Sequence, residues 1–254
     1  MGTLDGQVAW VTGGGGGIGE AGARALAEAG AHVVLSGRRA AEVERVAAEI
    51  AAAGGSAETA PLDVSDAAAM KATADRIVAR RGRIDIHFAN AGVNVPKRAV
   101  AEITAADFAR VVDVNLNGVM NGVIACVPHM RKAGGGALIL TASWAGRHVA
   151  RLVGPAYTAS KHAVVALAYQ INAEEGEHGI RCTVINPGEV STPILKTRPV
   201  PPSEADLAKM LKAEDLGRAV RFVAEQPPHV CLNEITITPT WNRFWIGFDE
   251  AAKR

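Results

Sequence analysis

Six of the seven residues from Gly13 to Gly19 are glycines, and this run separates two segments of different character. The segment before it, Val8–Thr12, is apolar and rich in β-branched residues, which is typical of a buried strand. The segment after it, Ile18–Ala29, is rich in alanine and has the composition of a helix. Because glycine permits a tight turn and a close approach between backbones, the run predicts a strand that turns directly into a helix. A flexible loop is the alternative interpretation of a glycine run taken alone.

The alternation of short β-rich runs and alanine-rich helical stretches continues along the chain. The predicted strands are Val8–Thr12, His32–Ser36, Ala57–Ala60, Ile84–Ala89, Ala137–Ala142, Arg181–Asn186 and Glu234–Thr238. The predicted helices lie near Ile18–Ala29, Ala40–Ala53, Asp66–Arg80, Ala105–Arg131, Ala156–Glu177 and Ala213–Gln226. Repeated strand-then-helix units imply parallel strands joined by right-handed crossovers. The sequence therefore predicts an α/β fold, a single-domain Rossmann-type doubly wound parallel sheet of about seven strands with helices on both faces.

Domain organisation follows from what interrupts this pattern. No Pro/Ser-rich linker divides the chain and no repeat of solenoid length is present, so residues 1–254 are expected to form one domain. A proline-rich loop around 189–213 is expected to pass over the functional site. The residues that punctuate the longest predicted helix predict a kink within it; they are Asn115, Asn117, Gly118 and Pro128.

Composition and charge exclude several classes of function. With 48% hydrophobic and 21% charged residues, the 254-residue chain can bury a full core. Its formal net charge of +1 provides no electrostatic surface for nucleic acid or for an anionic membrane. No apolar run approaches membrane-spanning length, and the N-terminus lacks a signal pattern. We expect a cytoplasmic protein that binds neither nucleic acid nor membrane.

The cysteines and histidines show no metal-binding pattern. Cys126, Cys182 and Cys231 are far apart, with neither a CxxC pair nor a metal-ligand spacing. They are expected to be buried thiols in a reducing compartment. His148 has no companions at ligand spacing, so no metal site is predicted.

The glycine turn and the end of the second strand together indicate a dinucleotide site. Pyrophosphate binds at a helix N-terminus that follows such a turn, and no Gly-Lys-Ser/Thr follows here to suggest an ATP-type loop. An acidic residue commonly holds the ribose 2′-hydroxyl about 20 residues later, but this chain reads Ser36-Gly37-Arg38-Arg39 there. Guanidinium groups match a 2′-phosphate and Ser36 can donate another hydrogen bond, so NADP is the predicted cofactor. Surface arginines, or Arg38 stacked on adenine with NAD as the cofactor, are the alternatives.

Acid-base chemistry is indicated by Ser143 and by Tyr157 with Lys161. If Tyr157 lies on a helix, Lys161 lies one turn later on the same face. Its ammonium would favour the phenolate and lower the tyrosine pKa from about 10. Ser143, at a strand end, is placed to bind a substrate oxygen. An ordinary helix pair is the alternative for an isolated Tyr-x-x-x-Lys.

These residues resemble those of the short-chain dehydrogenase/reductase family. The motifs that carry the resemblance are Thr12-Gly-x-x-x-Gly-Ile-Gly19, Asn90-Ala-Gly92, Asn115, Ser143, Tyr157-x-x-x-Lys161 and Pro187-Gly188. They occur in the family's order between about residue 5 and residue 238. The resemblance implies cofactor contacts from the glycine turn and from the ends of later strands. These residues are Gly13, Gly17, Ile18, Gly19, Arg38, Arg39, Asp63, Val64, Asn90, Ala91, Gly92, Tyr157, Lys161, Pro187, Gly188, Val190 and Thr192.

The resemblance also implies individual roles. Tyr157 would exchange a proton with the reacting oxygen, which Ser143 would bind. Lys161 would hold the nicotinamide ribose as well, and Asn115 would hold a water that relays protons to it. Asp63 would contact adenine with Val64 beside it through the backbone. Asn90 to Gly92 would border the cofactor.

At the nicotinamide end, the resemblance implies that Gly188, Val190 and Thr192 would seat the ring, with Thr192 against its carboxamide. Two departures from the family pattern are present. The chain has Ala89 where many members have a further asparagine. Its last strand lacks the common Val-Asp-Gly-Gly ending, as in a smaller subset of members, several of which act on polar hydroxy compounds with NADP.

The implied activity is an NAD(P)-dependent oxidoreductase that moves hydride between nicotinamide and a carbonyl/secondary-alcohol pair. A catalytically silent dinucleotide sensor of the same fold is the alternative, although a sensor would not need all four of the catalytic residues. An epimerase or dehydratase would need a substrate domain for which this length has no room. Two groups of residues are expected to border the substrate pocket. They are Asn94 to Arg98, and Trp144, Arg147, His148 and Arg151. The alternative for the charged residues among them is a contact with solvent or with another subunit.

Assembly and the C-terminal segment complete the expectations. The helices around the Ser143 strand are apolar on more than one face, which predicts a homo-oligomer, most simply a homotetramer. Those apolar residues are Val119, Val123, Ile124, Val127, Ala163, Val164, Leu167 and Ala168. The tail 239–254 concentrates aromatic residues and is expected to pack at a subunit interface or to close a substrate pocket, with docking on its own sheet edge the alternative. These aromatic residues are Trp241, Phe244, Trp245 and Phe248.

Overall fold

A computed structural model describes residues 2–247, apart from the side chains at positions 196 and 197. Within these residues, seven parallel strands form one sheet in the order β3-β2-β1-β4-β5-β6-β7. The strands are β1 Val8–Thr12, β2 His32–Ser36, β3 Ser56–Thr59, β4 Ile86–Ala89, β5 Gly136–Thr141, β6 Ile180–Pro187 and β7 Glu234–Ile237. The strand order reverses between β1 and β4, so their carboxyl ends diverge and leave a crevice. The predicted doubly wound parallel sheet is confirmed.

Helices cover both faces of the sheet. They are α1 Gly17–Glu28, α2 Ala40–Ala52, α3 Ala67–Arg81, α4 Ala105–Val112, α5 Gly118–Ala133, α6 Pro155–Glu175, α7 Glu204–Lys209, α8 Ala213–Ala224 and α9 Arg243–Ile246. One hydrophobic core lies between the sheet and α1, α2 and α8, and a second lies between the sheet and α3, α5 and α6. Successive β1 residues serve both, since Trp10 belongs to the second core and its neighbours Ala9 and Val11 to the first.

The long predicted helix is interrupted where the sequence indicated. A π-helical turn, Asp113–Asn117, separates α4 from α5, and it contains Asn115. Pro128 lies inside α5 and does not end it. Short π-helical insertions of this kind are common at functional sites, because the extra residue redirects a side chain.

The same stretch corrects the expectation about apolar runs. The helical stretch Ala105–Ala133 is long and apolar enough to cross a membrane by length and composition. Half of its apolar window is buried inside this fold. The prediction that no apolar run approaches spanning length was therefore wrong, because α4, the π-helical turn and α5 together form one long, largely apolar helical stretch.

Other differences are local. Strand and helix ends differ from the predicted bounds by one or two residues, and the short helices α7 and α9 were not predicted. Cys126 and Cys182 are buried as expected, whereas Cys231 is exposed because it lies in the loop before the edge strand β7. Phe248 lies outside the described residues.

Candidate active site

A cleft of about 590 Å³ opens along the carboxyl edge of the sheet, at the reversal of strand order between β1 and β4. All of the residues predicted to bind cofactor line it except Gly19 and Ser36, and so do Ser143, Tyr157 and Lys161. Asn115 is fully buried behind the cleft wall. One end of the cleft is formed by the glycine turn and the end of β2, and the other by the start of α6 and the loop after β6.

Several glycines of the turn lie too close to their surroundings to carry side chains. Gly13 has a φ of 69°, and a Cβ there would lie 2.9 Å from Ala91 Cα. A Cβ on Gly19 would lie 2.2 Å from Gly13 O, so this residue is needed for packing within the turn and does not face the cleft. The turn delivers the chain into α1, whose first residues, Gly17 and Ile18, line the cleft. Backbone amides at such a helix start favour an anion.

Asn90 ties together the strands that border the crevice. The backbone N–H of Asn90 donates to Thr12 Oγ1 at 3.2 Å, and its side-chain Nδ2 donates to Gly13 O at 3.5 Å. Thr141 Oγ1, at the end of β5, donates to Asn90 Oδ1 at 3.2 Å. These bonds fix the ends of β1, β4 and β5 relative to one another, and thereby the spacing across the cleft.

The end of β2 carries exposed cations at the glycine-turn end of the cleft. Arg38 lines the cleft with a half-exposed side chain, and its Nη1 lies 3.8 Å from Asp63 Oδ2. Burial raises the pKa of Asp63, but hydrogen bonds from Ser65 and the charge of Arg38 lower it by more, so this carboxylate stays ionised. Glu42 also lines this end.

Ser36 is not available to a ligand, contrary to the sequence prediction. It is fully buried, its Oγ donates to Ala60 O at 2.7 Å and it accepts from Trp10 Nε1 at 2.9 Å. Side chains of a strand alternate between the two faces of the sheet, and this one points into the core. The prediction of a third bond to a 2′-phosphate was therefore wrong.

Tyr157 and Ser143 meet at the opposite end of the cleft. Ser143 follows β5, and Tyr157 lies in the first turn of α6, so a strand end and a helix start bring them together. Desolvation raises the pKa of the Tyr157 phenol, while its hydrogen bond with Ser143 and the charges of Arg198 and Arg98 act to lower it; the net effect is a raised pKa.

Lys161 lies one turn after Tyr157 but does not act on its phenol as predicted. Lys161 Nζ donates to Thr141 O at 2.7 Å and lies 5.7 Å from the centre of the Tyr157 ring. Burial lowers the Lys161 pKa to about 8. In this structure the cations that lower the pKa of the phenol are Arg198 and Arg98, because the ammonium is turned toward the end of β5.

Asn115 is fixed beside this lysine by the π-helical turn. Its Oδ1 accepts from Val93 N at 2.8 Å, and its Nδ2 donates to Val93 O at 3.0 Å and to Ser160 Oγ at 3.3 Å. A Cβ on Gly92 would lie 3.5 Å from Asn115 Oδ1 and 3.7 Å from Lys161 Nζ. Both polar atoms therefore flank the same small space beside Gly92.

The segment after β6 forms the wall opposite α1. Pro187, Gly188, Val190 and Thr192 line the cleft there, and Thr192 Oγ1 donates to Val190 O at 3.3 Å. A Cβ on Gly17, which has a φ of 56°, would lie 3.2 Å from Thr192 Cγ2. The glycine turn and this wall thus approach closely across the cleft.

A buried ion cluster, which sequence reasoning missed, supports the same wall. Glu189 has a side chain that is 2% exposed, and it accepts two hydrogen bonds from Arg243 at 2.8 Å and one from Arg198 at 2.6 Å. Arg243 also lies 3.1 Å from Asp206, which caps α7 with Ser203. The cluster joins β6, the loop 189–213 and α9, which are distant in sequence. The only local signal was the position of Glu189 directly after Pro187-Gly188.

The predicted pocket border is partly correct. Asn94 and Arg98 line the cleft, and so does Phe244 of the aromatic tail. Arg147, His148 and Arg151 do not line it, because Arg147 pairs with Glu234 and the His148 ring stacks on Trp144. Among the described residues, no group of histidine, cysteine and carboxylate side chains could hold a metal ion.

Known proteins similar to this chain are oxidoreductases. The sequence profile of the family described as short chain dehydrogenase matches residues 7–201. The chain is 35% identical over 243 residues to glycine betaine reductase ATRR of Emericella nidulans, which covers 94% of this chain and 19% of that protein. It therefore spans about a fifth of that relative's length. It is 34% identical over 216 residues to cyclohexanol dehydrogenase of an Acinetobacter species, covering 84% of this chain and 81% of that protein.

A solved structure agrees over nearly the whole length. An alcohol dehydrogenase from the archaeon Thermococcus sibiricus, complexed with 5-hydroxy-NADP, superposes with a TM-score of 0.83 at 30% identity. The match covers 93% of this chain and 98% of that one. Since the family profile also matches most of the sequence, the chain belongs to the short chain dehydrogenase family.

Proposed function

We propose that the protein is an NADP-dependent oxidoreductase that interconverts a carbonyl compound and the corresponding secondary alcohol. The observation that carries the proposal is the arrangement of one cleft, which has the glycine turn and Arg38 at one end and Ser143 with Tyr157 at the other. Similarity to an alcohol dehydrogenase complexed with 5-hydroxy-NADP, and to a cyclohexanol dehydrogenase, supports both the cofactor and the reaction.

The residues present fit a dinucleotide. Side chains are absent from the turn Gly13–Gly17, where a Cβ on Gly13 would collide with Ala91, and the start of α1 faces the same space. The pyrophosphate would lie at this helix start, and adenine would lie near Asp63 and Val64. Arg38 and Arg39 would hold the 2′-phosphate, since guanidinium groups pair well with phosphate oxygens. The nicotinamide would lie against Gly188, Val190 and Thr192, and when bound it would supply or accept the hydride.

In the reducing direction, residues of the cleft would transfer one proton to the substrate. The Ser143 hydroxyl and the Tyr157 phenol would both bind the carbonyl oxygen, which orients the substrate and draws charge toward that oxygen. Tyr157 would then donate its proton to the oxygen as the alcohol forms. In oxidation Tyr157 would accept the proton from the alcohol instead.

After each reduction, Tyr157 would have to regain a proton, which requires a route for protons to its phenolate. Lys161 would hold the nicotinamide ribose and bring a positive charge near the phenolate once its ammonium turns from Thr141 O toward the cleft. Asn115 Oδ1 and Lys161 Nζ flank the space beside Gly92, which would hold a relay water. The π-helical turn would position Asn115 for this role.

The test is substitution of the tyrosine in the cleft against a matched control. Tyr157→Phe should abolish nearly all turnover while leaving NADP affinity, measured by calorimetry, close to wild type, because the substitution removes the hydroxyl that carries the proton and keeps the ring. The chain's other tyrosine, Tyr169, is exposed and lies outside the cleft, so Tyr169→Phe should retain turnover. Near-normal turnover of Tyr157→Phe would contradict the proposed role. NADP binding without turnover of any alcohol or ketone by the wild type would favour the sensor.

A further inference from the structure

Apolar side chains border the end of the cleft that contains Ser143 and Tyr157. They come from four separate segments of the chain: the loop after β4, the turn before α6, the loop after β6 and the helix α9. These side chains are Val93, Val153, Ile194, Leu195 and Phe244. Val93 and Tyr157 pack against one small hydrophobic cluster, and Phe244 stacks on Trp144, the residue after Ser143. The apolar wall therefore lies beside the proposed catalytic pair.

The charged side chains at this end are already paired within the chain. Glu189 pairs with Arg198 and Arg243, and Asp206 pairs with Arg243 as well, so two carboxylates meet two guanidinium groups. Arg98 also lines the cleft and likewise has a partner within the protein. These charges are satisfied without a ligand, so the surface offered to the rest of a substrate is the apolar one.

Phe244 is the member of this wall that is fixed most firmly to the catalytic end. Asn242 is 1% exposed and caps α9, and its Oδ1 accepts from Phe244 N at 3.0 Å. The Phe244 ring stacks on the buried Trp144 ring with centres 5.9 Å apart and 17° between the planes. The neighbouring Arg243 is held by its ion pairs to the loop 189–213. The position of the Phe244 ring is therefore set from both sides of the cleft.

We propose that the substrate is a ketone or secondary alcohol that carries an uncharged apolar group, and that Phe244 selects this group. This inference rests on the proposed function and names its substrate class. With its oxygen bound by Ser143 and Tyr157, the substrate would place one substituent of the carbonyl carbon against the apolar wall. An apolar group gains free energy there by leaving water. A carboxylate or an amide would lose its hydration, and these side chains would return no hydrogen bond.

The experiment compares methyl ketones of nearly the same shape. The compounds 5-methyl-2-hexanone, 4-oxopentanamide and 4-oxopentanoate differ only at the end of the chain, which is isopropyl, carboxamide or carboxylate. A second set, 6-methyl-2-heptanone, 5-oxohexanamide and 5-oxohexanoate, extends the reach by one methylene. In the better set we expect kcat/KM for the branched ketone to exceed that for the amide and the acid by about 10- to 100-fold, since the methyl groups gain by burial and the polar ends lose hydration.

Two variants of Phe244 with similar size and opposite polarity test its role. Phe244→Leu should keep most of the preference for the branched ketone, whereas Phe244→Asn should reduce it by about 3- to 10-fold. NADP affinity, measured by calorimetry, reports folding of both variants. A merely structural role of Phe244 would lower kcat/KM for all three ketones alike and leave their ratios unchanged. The control is Phe222→Asn, at a position on α8 that is 54% exposed and outside the cleft, which should keep the wild-type ratios.

The outcomes separate this inference from the function on which it rests. If the wild type reduces the amide or the acid as well as the branched ketone in both sets, the apolar substrate class is wrong while the oxidoreductase proposal stands. If Phe244→Asn keeps the wild-type ratios, Phe244 does not select the substrate. If no ketone of either set is reduced, the proposed function fails and this inference fails with it.

Discussion

Replacing Lys161 with methionine should alter the stability of the ligand-free protein in a way that depends on pH. The lysine is buried in the cleft wall, and burial lowers its pKa from 10.5 to about 8. At neutral pH the folded protein therefore holds a buried ammonium that is less favourable than the hydrated ammonium of the unfolded chain. Methionine fills nearly the same volume without a charge.

The magnitude follows from the difference between the two pKa values. At about 1.4 kcal/mol per pH unit, the fall from 10.5 to about 8 means that the charged lysine lowers the free energy of unfolding by about 3 kcal/mol below pH 8. Between pH 8 and about 10.5 the folded state releases the proton while the unfolded chain keeps it, so this penalty disappears as the pH rises. The substitution also leaves Thr141 O without the 2.7 Å bond from Lys161. That loss costs about 1–3 kcal/mol at every pH.

Because these two contributions oppose each other, the difference in the free energy of unfolding between the variant and the wild type should change sign as the pH rises. At pH 7 the variant should match or exceed the wild type by up to about 2 kcal/mol, and by pH 10, where just under about 1 kcal/mol of the penalty remains, it should be less stable by up to about 2 kcal/mol. Urea unfolding at fixed protein concentration, from pH 7 to pH 10, measures this difference directly. Other titrating groups are common to both proteins and cancel.

The control is Lys132→Met, at an exposed position near the end of α5. This variant removes one lysine from an exposed position, so it shows what the loss of a surface ammonium alone does to the free energy of unfolding over the same pH range. A difference between Lys161→Met and the wild type that stays constant within about 0.5 kcal/mol across the range would refute the reasoning, because it would mean that Lys161 keeps its ordinary affinity for a proton in the fold.

Three further outcomes are expected. Arg38→Ala should lower kcat/KM for NADP by about 10- to 100-fold with little effect on kcat/KM for NAD, because charge-assisted bonds to the 2′-phosphate are lost. Equal losses with both cofactors, or a wild type that prefers NAD, would indicate that Arg38 stacks on adenine. Truncation after Thr240 should lower Tm and activity, because Glu189 loses Arg243 and the cleft loses Phe244; an unchanged Tm would argue against a supporting role for the ion cluster. Light scattering should give a mass of about four times the 26.4 kDa of one chain, as expected for a homotetramer. Ile124→Glu should reduce that mass because Ile124 is 58% exposed on an apolar helix, and a single-chain mass for the wild type would exclude assembly through this helix.

The fold was predictable because its information is local and repeated. Parallel strands buried on both faces appear as short apolar runs, and β5 is one in which every residue but the first is buried. The glycine turn required left-handed backbone at Gly13 and Gly17, which the sequence indicated by residue type alone. The break at Asn115 was also expected, although its form as a π-helical turn was not.

Side-chain direction was harder to predict, and the unexpected directions of Ser36 and Lys161 share one cause. Both residues occupy the expected positions in the chain, at a strand end and one helical turn after Tyr157. Their polar atoms point to backbone carbonyls, Ala60 O and Thr141 O, which lie on neighbouring strands or their ends. A spacing rule gives the face of an element but does not reveal which buried acceptor competes for the donor.

The ion cluster around Glu189 was beyond sequence reasoning for a different reason. Its members come from the end of β6, the loop 189–213 and α9, and no spacing links them. By sequence, Arg147 and Arg151 were better placed for a substrate because they closely follow Ser143. Arg147 is instead committed to Glu234 on the edge strand, while Arg98 and Arg198 reach the cleft from opposite loops.

These findings change where the positive charge near Tyr157 comes from. The ligand-free cleft raises the phenol pKa by desolvation, and the charges that oppose this belong to the arginines. For Lys161 to contribute as well, its ammonium would have to leave Thr141 O and turn toward the cleft. Because burial lowers the pKa of Lys161 to about 8, the ammonium would still be charged at neutral pH and would favour the phenolate when the proton moves.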